Sequence, residues 1–194
     1  MSPDLSQLSD QDLAARARAR DEGAYRELLS RHKAAVYRLI VKHIGDTDEA
    51  MDLTQESFVA AFSALDRYDG TRPFRVWISR IALNKCRDWG RRRKVRAFFS
   101  RALPLEIAHH VASEIPSPDM EVGDRLELAR VRAAVAALPA NLREVLLLRG
   151  LDEISQSEAA AMLDVSEKTV ETRLYRARAQ LKALLGGANE SAGD

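Results

Sequence analysis

An all-α fold of two small helical domains joined by a flexible linker follows from three features of the sequence. Apolar residues recur at helical spacing in two separate stretches, a segment containing several prolines divides them, and no stretch alternates apolar and polar residues as a strand would. A chain of 194 residues with 46% hydrophobic content can bury one ordinary core or two small ones. The break in periodicity favours two.

In the first stretch Tyr25, Leu28, Leu29, Val36, Leu39 and Ile40 follow the spacing of an amphipathic helix, which should stop near Gly45. Asp46, with Glu49 three residues on, marks the next start, because the first side chain can cap a free amide and the second can support it. Met51, Phe58, Phe62 and Leu65 form that helix's stripe, and Asp69-Gly70 should lie beyond its end. The turn-prone DGTRP leads into a third stripe of Phe74, Trp77, Ile78, Ile81 and Trp89, followed by Arg91-Arg92-Arg93-Lys94. Three helices sharing one core predict a domain over residues 1–97.

Pro104, Pro116 and Pro118 remove helix hydrogen bonds where the apolar period is lost, which predicts a linker over residues 98–123. Periodicity resumes with Leu126, Val131, Val135 and Leu138; Pro139 then forces a boundary, and Leu142, Val145 and Leu146 mark a short helix. The stretch ISQSEAAAMLDVSEKTVETRLYRARAQLKALL reads as two helices with a very short joint, Ser155 and Glu158 forming a capping box and Ser166 capping the second helix. A second domain over residues 124–186 follows, with a small, polar, disordered tail over 187–194.

That last pair has the layout of a helix-turn-helix, in which one helix braces another whose outer face enters the DNA major groove. Asp164 stands at the tight turn, and Asp is among the few residues other than glycine that tolerate a left-handed backbone. Ala159, Ala160, Leu163, Val165, Val170 and Leu174 should lock the pair together, leaving Lys168, Thr169, Glu171, Thr172, Arg173, Arg176 and Arg178 outward. A helical hairpin with a charged surface would share this pattern. The Ala-rich first helix, the short turn and the Arg-rich second helix favour DNA.

The formal charge of +1 conceals a strong separation. Residues 1–71 balance at −4, residues 72–101 hold eleven Lys or Arg against Asp88 alone, and the remainder balances at −5. The basic block suits a polyanion, since each phosphate neutralised releases counterions, although a solvated helix face would look the same. The single Cys86 excludes an internal disulfide. No apolar run approaches the roughly 20 residues that cross a bilayer, and the first residues lack a signal pattern, so we expect a cytoplasmic protein without membrane insertion. Paired His and Cys ligands, a phosphate-binding glycine loop and a nucleophile with its base are all missing, which argues against an enzyme and implies no cofactor and no metal. His109-His110 falls in the linker and Cys86 in a helical stripe, both more simply structural or incidental.

These residues resemble a known family, the extracytoplasmic-function (group 4) sigma factors of the bacterial sigma-70 class. Region 2 of that family is matched from Ala24 to Lys94 through GDTDEAMDLTQESFVAAFSALDRYDG and FRVWISRIALNKCRDWGRRR. Region 4 is matched from Leu138 to Leu185 through LPANLREVLLLRGLDEISQSEAAAMLDVSEKTVETRLYRARAQL. The resemblance implies a protein that gives core RNA polymerase its promoter specificity and catalyses nothing itself.

It also implies sites. In the family the helix with the D-x-x-Q-E-x-F pattern, here Asp52, Gln55, Glu56 and Phe58, docks on a basic coiled coil of the polymerase clamp. The acidic residues Asp46, Asp48, Glu49, Asp52 and Glu56 suit such a partner, though a cap cluster at the helix start accounts well for Asp46 to Glu49 and less well for Asp52 and Glu56. Tyr68, Arg72, Trp77, Asn84, Arg87, Arg91, Arg92 and Arg93 fall in the part that reads the minus-ten element. Phe74 and Trp77 share an apolar stripe with Ile78 and Ile81, so core packing competes with base contact there; Asn84 interrupts the stripe and can read a base edge. Arg91 to Lys94 would meet phosphates without specificity. The recognition helix would read the minus-thirty-five element, and Glu171 stands where many relatives carry a basic residue. Relatives are commonly sequestered by an anti-sigma factor, so promoter DNA, core polymerase and such an inhibitor are the implied partners. The competing reading is a free-standing helix-turn-helix regulator, which would need a ligand or dimer domain where this chain has an acidic-then-basic helical one.

Overall fold

A computed structural model of the chain describes residues 4–102, 122–150 and 154–186, which fall into two compact units divided between Ala112 and Ser113. Every regular element among the described residues is helical. The proline-containing part of the expected linker, residues 103–121, lies outside the described residues, as do His109-His110 and the tail at 187–194.

The first unit contains one helix more than the periodicity predicts. Helix α1 (Asp10–Arg18) starts at Ser9, whose hydroxyl accepts from the Asp12 amide at 3.1 Å, with acidic residues in its first turn and Arg16 and Arg18 in its last. Its buried face is Leu13, Ala14 and Ala17, too small to register as an apolar stripe. Arg31 fastens the segment ahead of α1 to helix α2 (Glu22–Ile44), donating to the Ser6 carbonyl at 2.7 Å and the Leu8 carbonyl at 2.8 Å while pairing with Asp10 and Glu27. Beside it, His32 Nε2 lies 2.7 Å from Asp10 Oδ2.

Gly45 ends α2 with φ 70°, a left-handed turn that a side chain would strain, and Asp46 starts α3 (Thr47–Ser63) by accepting from the Asp48 and Glu49 amides. Glu49 does not reach back to complete a capping box. Its carboxylate instead accepts from the Trp89 indole N–H at 2.9 Å, tying the start of α3 to α4 (Phe74–Ala102). Helix α4 continues past Phe98, where the linker was expected, because the first proline ahead of it is Pro104. Leu28, Val36, Ile40, Leu53, Phe74, Ile78 and Leu83 fill the core among the four helices.

The second unit is built of α5 (Val122–Ala137), α6 (Ala140–Gly150), α7 (Gln156–Leu163) and α8 (Glu167–Gly186). Pro139 separates the first two and accepts the α6 amides of Leu142 and Arg143, each at 2.9 Å. Ser155 and Glu158 form the complete capping box, Asp164 takes the left-handed turn at φ 58° and ψ 49°, and Ser166 Oγ accepts from the Thr169 amide at 3.2 Å. Ala159, Ala160, Leu163 and Val170 are buried at the α7–α8 joint as expected, joined by Met162 and Ala177; Val165 and Leu174 are only half-buried.

Candidate functional site

Three surfaces gather the side chains singled out by sequence. The first is the outer face of α3. Asp52, Gln55 and Glu56 are all exposed there, whereas Phe58 is 3% exposed and packs near Phe62 with ring centroids 5.8 Å apart. Phe58 therefore belongs to the core that holds the face, not to the face itself: it sits one turn on from Gln55, at the edge where the helix turns inward, and its ring is buried while Asp52, Gln55 and Glu56 stay exposed. Val59, 67% exposed, and Met51 add apolar area beside the carboxylates, a contribution that sequence reasoning missed because Met51 was assigned to the buried stripe. Asp52, Gln55, Glu56, Val59, Ala60 and Lys85 line a shallow groove of about 490 Å³. Lys85 Nζ reaches Glu56 Oε2 at 3.2 Å, an exposed pair that contributes little stability and can be exchanged for another cation. Asp46 and Glu49 have structural tasks, one as cap and one as partner of Trp89, so the outward acidity rests on Asp48, Asp52 and Glu56.

The second surface runs along α4 and the turn before it. Tyr68 is 3% exposed; its hydroxyl donates to the Arg72 carbonyl at 2.9 Å, and its ring lies 5.4 Å from Phe74 and 5.3 Å from Trp77. It offers no open face for a base to stack on, and its evident task is to close the 68–73 turn, where Gly70 sits at φ 73°. Phe74 is fully buried and Trp77 half-buried. Trp77, Arg80, Asn84, Arg87 and Arg91 then follow one another on a single stripe of α4, and Arg80 is a member that sequence reasoning overlooked. Asn84 is exposed, with Oδ1 accepting from Arg87 Nη1 at 2.8 Å. Arg72, Arg91, Arg92 and Arg93 are exposed; Arg91 pairs with Asp88, and the Arg93 guanidinium lies 5.1 Å from the centroid of the buried Trp89 ring.

The third surface is α8. Val170 and Ala177 face the core, so Lys168, Glu171, Thr172, Tyr175 and Arg176 share the opposite side, with Arg178 exposed at its edge. Lys168 Nζ and Glu171 Oε2 pair at 2.9 Å, and Thr172 Oγ1 donates to the Lys168 carbonyl. Thr169 and Arg173 are half-buried on the flanks, and Thr169 Oγ1 lies 2.9 Å from Ser166 Oγ at the cap. Tyr175 is 76% exposed in the middle of the face. Sequence reasoning passed over it, although its place seven residues after Lys168 carried the signal. Among the described residues no group of His, Cys, Asp and Glu could hold a metal ion, and no helix is long and apolar enough to cross a membrane.

Residues 28–96 match the family model of sigma-70 region 2, and residues 128–181 that of sigma-70 region 4. The chain is similar to the RNA polymerase sigma factor CnrH of Cupriavidus metallidurans, 44% identical over 186 residues that cover 94% of this chain and 97% of that one. It is 32% identical over 177 residues to the ECF RNA polymerase sigma-E factor of Salmonella typhimurium, covering 89% of this chain and 92% of the relative. Among solved structures it resembles CnrH in complex with the cytosolic domain of CnrY, at TM-score 0.67 and 36% identity over 93% of this chain and 99% of that one.

Proposed function

The chain belongs to the extracytoplasmic-function sigma factors of the sigma-70 family, and from that premise we propose how its surfaces divide the work of promoter-specific transcription initiation. It is an initiation factor for RNA polymerase and not an enzyme. Asp52, Gln55 and Glu56, with Val59 and Met51 beside them, dock on a basic coiled coil of the core polymerase clamp. The stripe of α4 from Trp77 to Arg91 holds the minus-ten strand: Asn84 meets a base edge, while Arg72, Arg87, Arg91, Arg92 and Arg93 meet phosphates. The outer face of α8 reads the minus-thirty-five element through Lys168, Glu171, Thr172, Tyr175 and Arg176, with Thr169, Arg173 and Arg178 at its edges. The segment between α4 and α5 serves as the linker that lets each unit reach its own element, and the protein acts in the cytoplasm, with the polymerase.

The single observation that supports this division best is that one chain turns an acidic face outward on α3 and cationic faces outward on α4 and α8. A polymerase-independent regulator has no use for the first. Because CnrH has been solved with the cytosolic domain of CnrY bound, a protein inhibitor of the anti-sigma kind is the natural control of this chain as well, acting by occupying the surfaces that polymerase needs.

The test is binding to core polymerase. Asp52→Arg and Glu56→Arg should each weaken it by about ten-fold or more, equivalent to about 1.4 kcal/mol, with an unchanged far-ultraviolet circular dichroism spectrum. Unchanged affinity in both variants would remove α3 from the docking site. In the assembled holoenzyme, Arg176→Ala should cost roughly 1–3 kcal/mol of promoter binding if the side chain reads a base, and less if it meets phosphate.

A further inference from the structure

Resting on the reading of α8 as the recognition helix, we propose that Glu171 dictates one base of the upstream promoter element by requiring cytosine there, and that Lys168 is the side chain that lets a carboxylate enter the groove. Lys168 and Glu171 lie one turn apart near the start of α8, on the face opposite Val170 and Ala177. Their charged atoms meet at 2.9 Å with side chains 81% and 58% exposed, so the pair contributes little to the free protein and can part or turn without cost to the fold.

An ionised carboxylate only accepts hydrogen bonds. On the floor of the major groove guanine presents N7 and O6 and thymine presents O4, all acceptors, so a desolvated carboxylate set against either would put lone pairs face to face. Adenine offers its N6 donor beside the N7 acceptor, an arrangement that suits an amide able to donate as well as accept. Cytosine offers the N4 amino group alone, which matches Glu171. The Thr172 hydroxyl, the neighbouring alternative, is already donating to the Lys168 carbonyl at 2.9 Å. Repulsion between Glu171 and the flanking phosphates is offset by the Lys168 ammonium, which can stay near the carboxylate or move to a phosphate as the helix enters.

The experiment is selection by the holoenzyme from a promoter library randomised across the upstream element. The wild-type protein should hold cytosine at one position, with a penalty of about ten-fold to a hundred-fold for the other bases. Glu171→Gln should move that position to adenine and Glu171→Arg should move it to guanine, all other positions keeping their preference. Lys168→Ala should keep the cytosine but bind more weakly, with a shallower dependence on salt. If both Glu171 variants bind and select the same sequence as the wild type, the proposal is overturned while α8 remains the reader. If the wild type selects no upstream sequence at all, the reading of α8 falls and this proposal falls with it.

Discussion

The phenol of Tyr68 donates to the Arg72 carbonyl from a buried position, and its pKa lies above the 10.0 of an unperturbed tyrosine, chiefly through burial and then through Asp10 and Asp69, with Arg18 opposing. The folded chain keeps this proton to a higher pH than the unfolded chain. Its contribution is therefore complete below the unfolded pKa and is lost as pH rises through the folded one. Tyr68→Phe should cost about 0.5–1.5 kcal/mol in denaturant unfolding at neutral pH, and should lose less above pH of about 10, where the wild type is itself penalised. Equal losses at both pH values would show that the phenol does not titrate late. Sequence placed this residue among base-stacking candidates, and Phe58 in the docking motif, because residue type and motif spacing were all it had. Which side of a helix or turn closes against the core is decided by packing partners far along the chain. Asn84, by contrast, was legible as a polar break in an apolar stripe, and it is exposed.

Among the elements, the helix-turn-helix was readable to its caps because capping is local chemistry: Ser155, Glu158, Asp164 and Ser166 need only neighbours within a few residues. Removing the Ser155 hydroxyl by Ser155→Ala should cost about 0.5–2 kcal/mol in thermal or denaturant unfolding, and no change would show the box to be dispensable. Helix α1 was missed for the complementary reason: its buried face is mostly alanine, and what holds its approach is Arg31, a side chain of another helix. After α1, Arg20 sits at φ 67° and is exposed, an arginine in a conformation that favours glycine. The left-handed backbone costs a residue with a Cβ about 1–2 kcal/mol, and glycine returns part of that as lost entropy. Arg20→Gly should thus leave stability unchanged or raise it by up to about 1 kcal/mol, and a loss would mean that the Arg20 side chain holds the turn.

At the scale of the whole molecule, the division into two units was legible in the loss of period around the prolines, and the fold class in the absence of any alternating stretch. Each unit encloses its own apolar core, Leu28, Ile40, Phe74 and Ile78 in one and Val145, Leu148, Met162 and Val170 in the other. Residues 4–102 and 122–186 expressed apart should each melt cooperatively, and a half that does not would show that its core depends on the other. The hydrogen bond from Trp89 to Glu49 has an optical consequence. The chain has two tryptophans, Trp77 and Trp89, and both lie on α4. Tryptophan emission is therefore confined to one unit, with Trp89 sealed beside a carboxylate and Trp77 closer to solvent. The other unit carries Tyr175 on its outer face and no tryptophan. A strand held along α4 would quench the tryptophan band, DNA held only by α8 would dim tyrosine emission alone, and one spectrum would tell which promoter element is engaged.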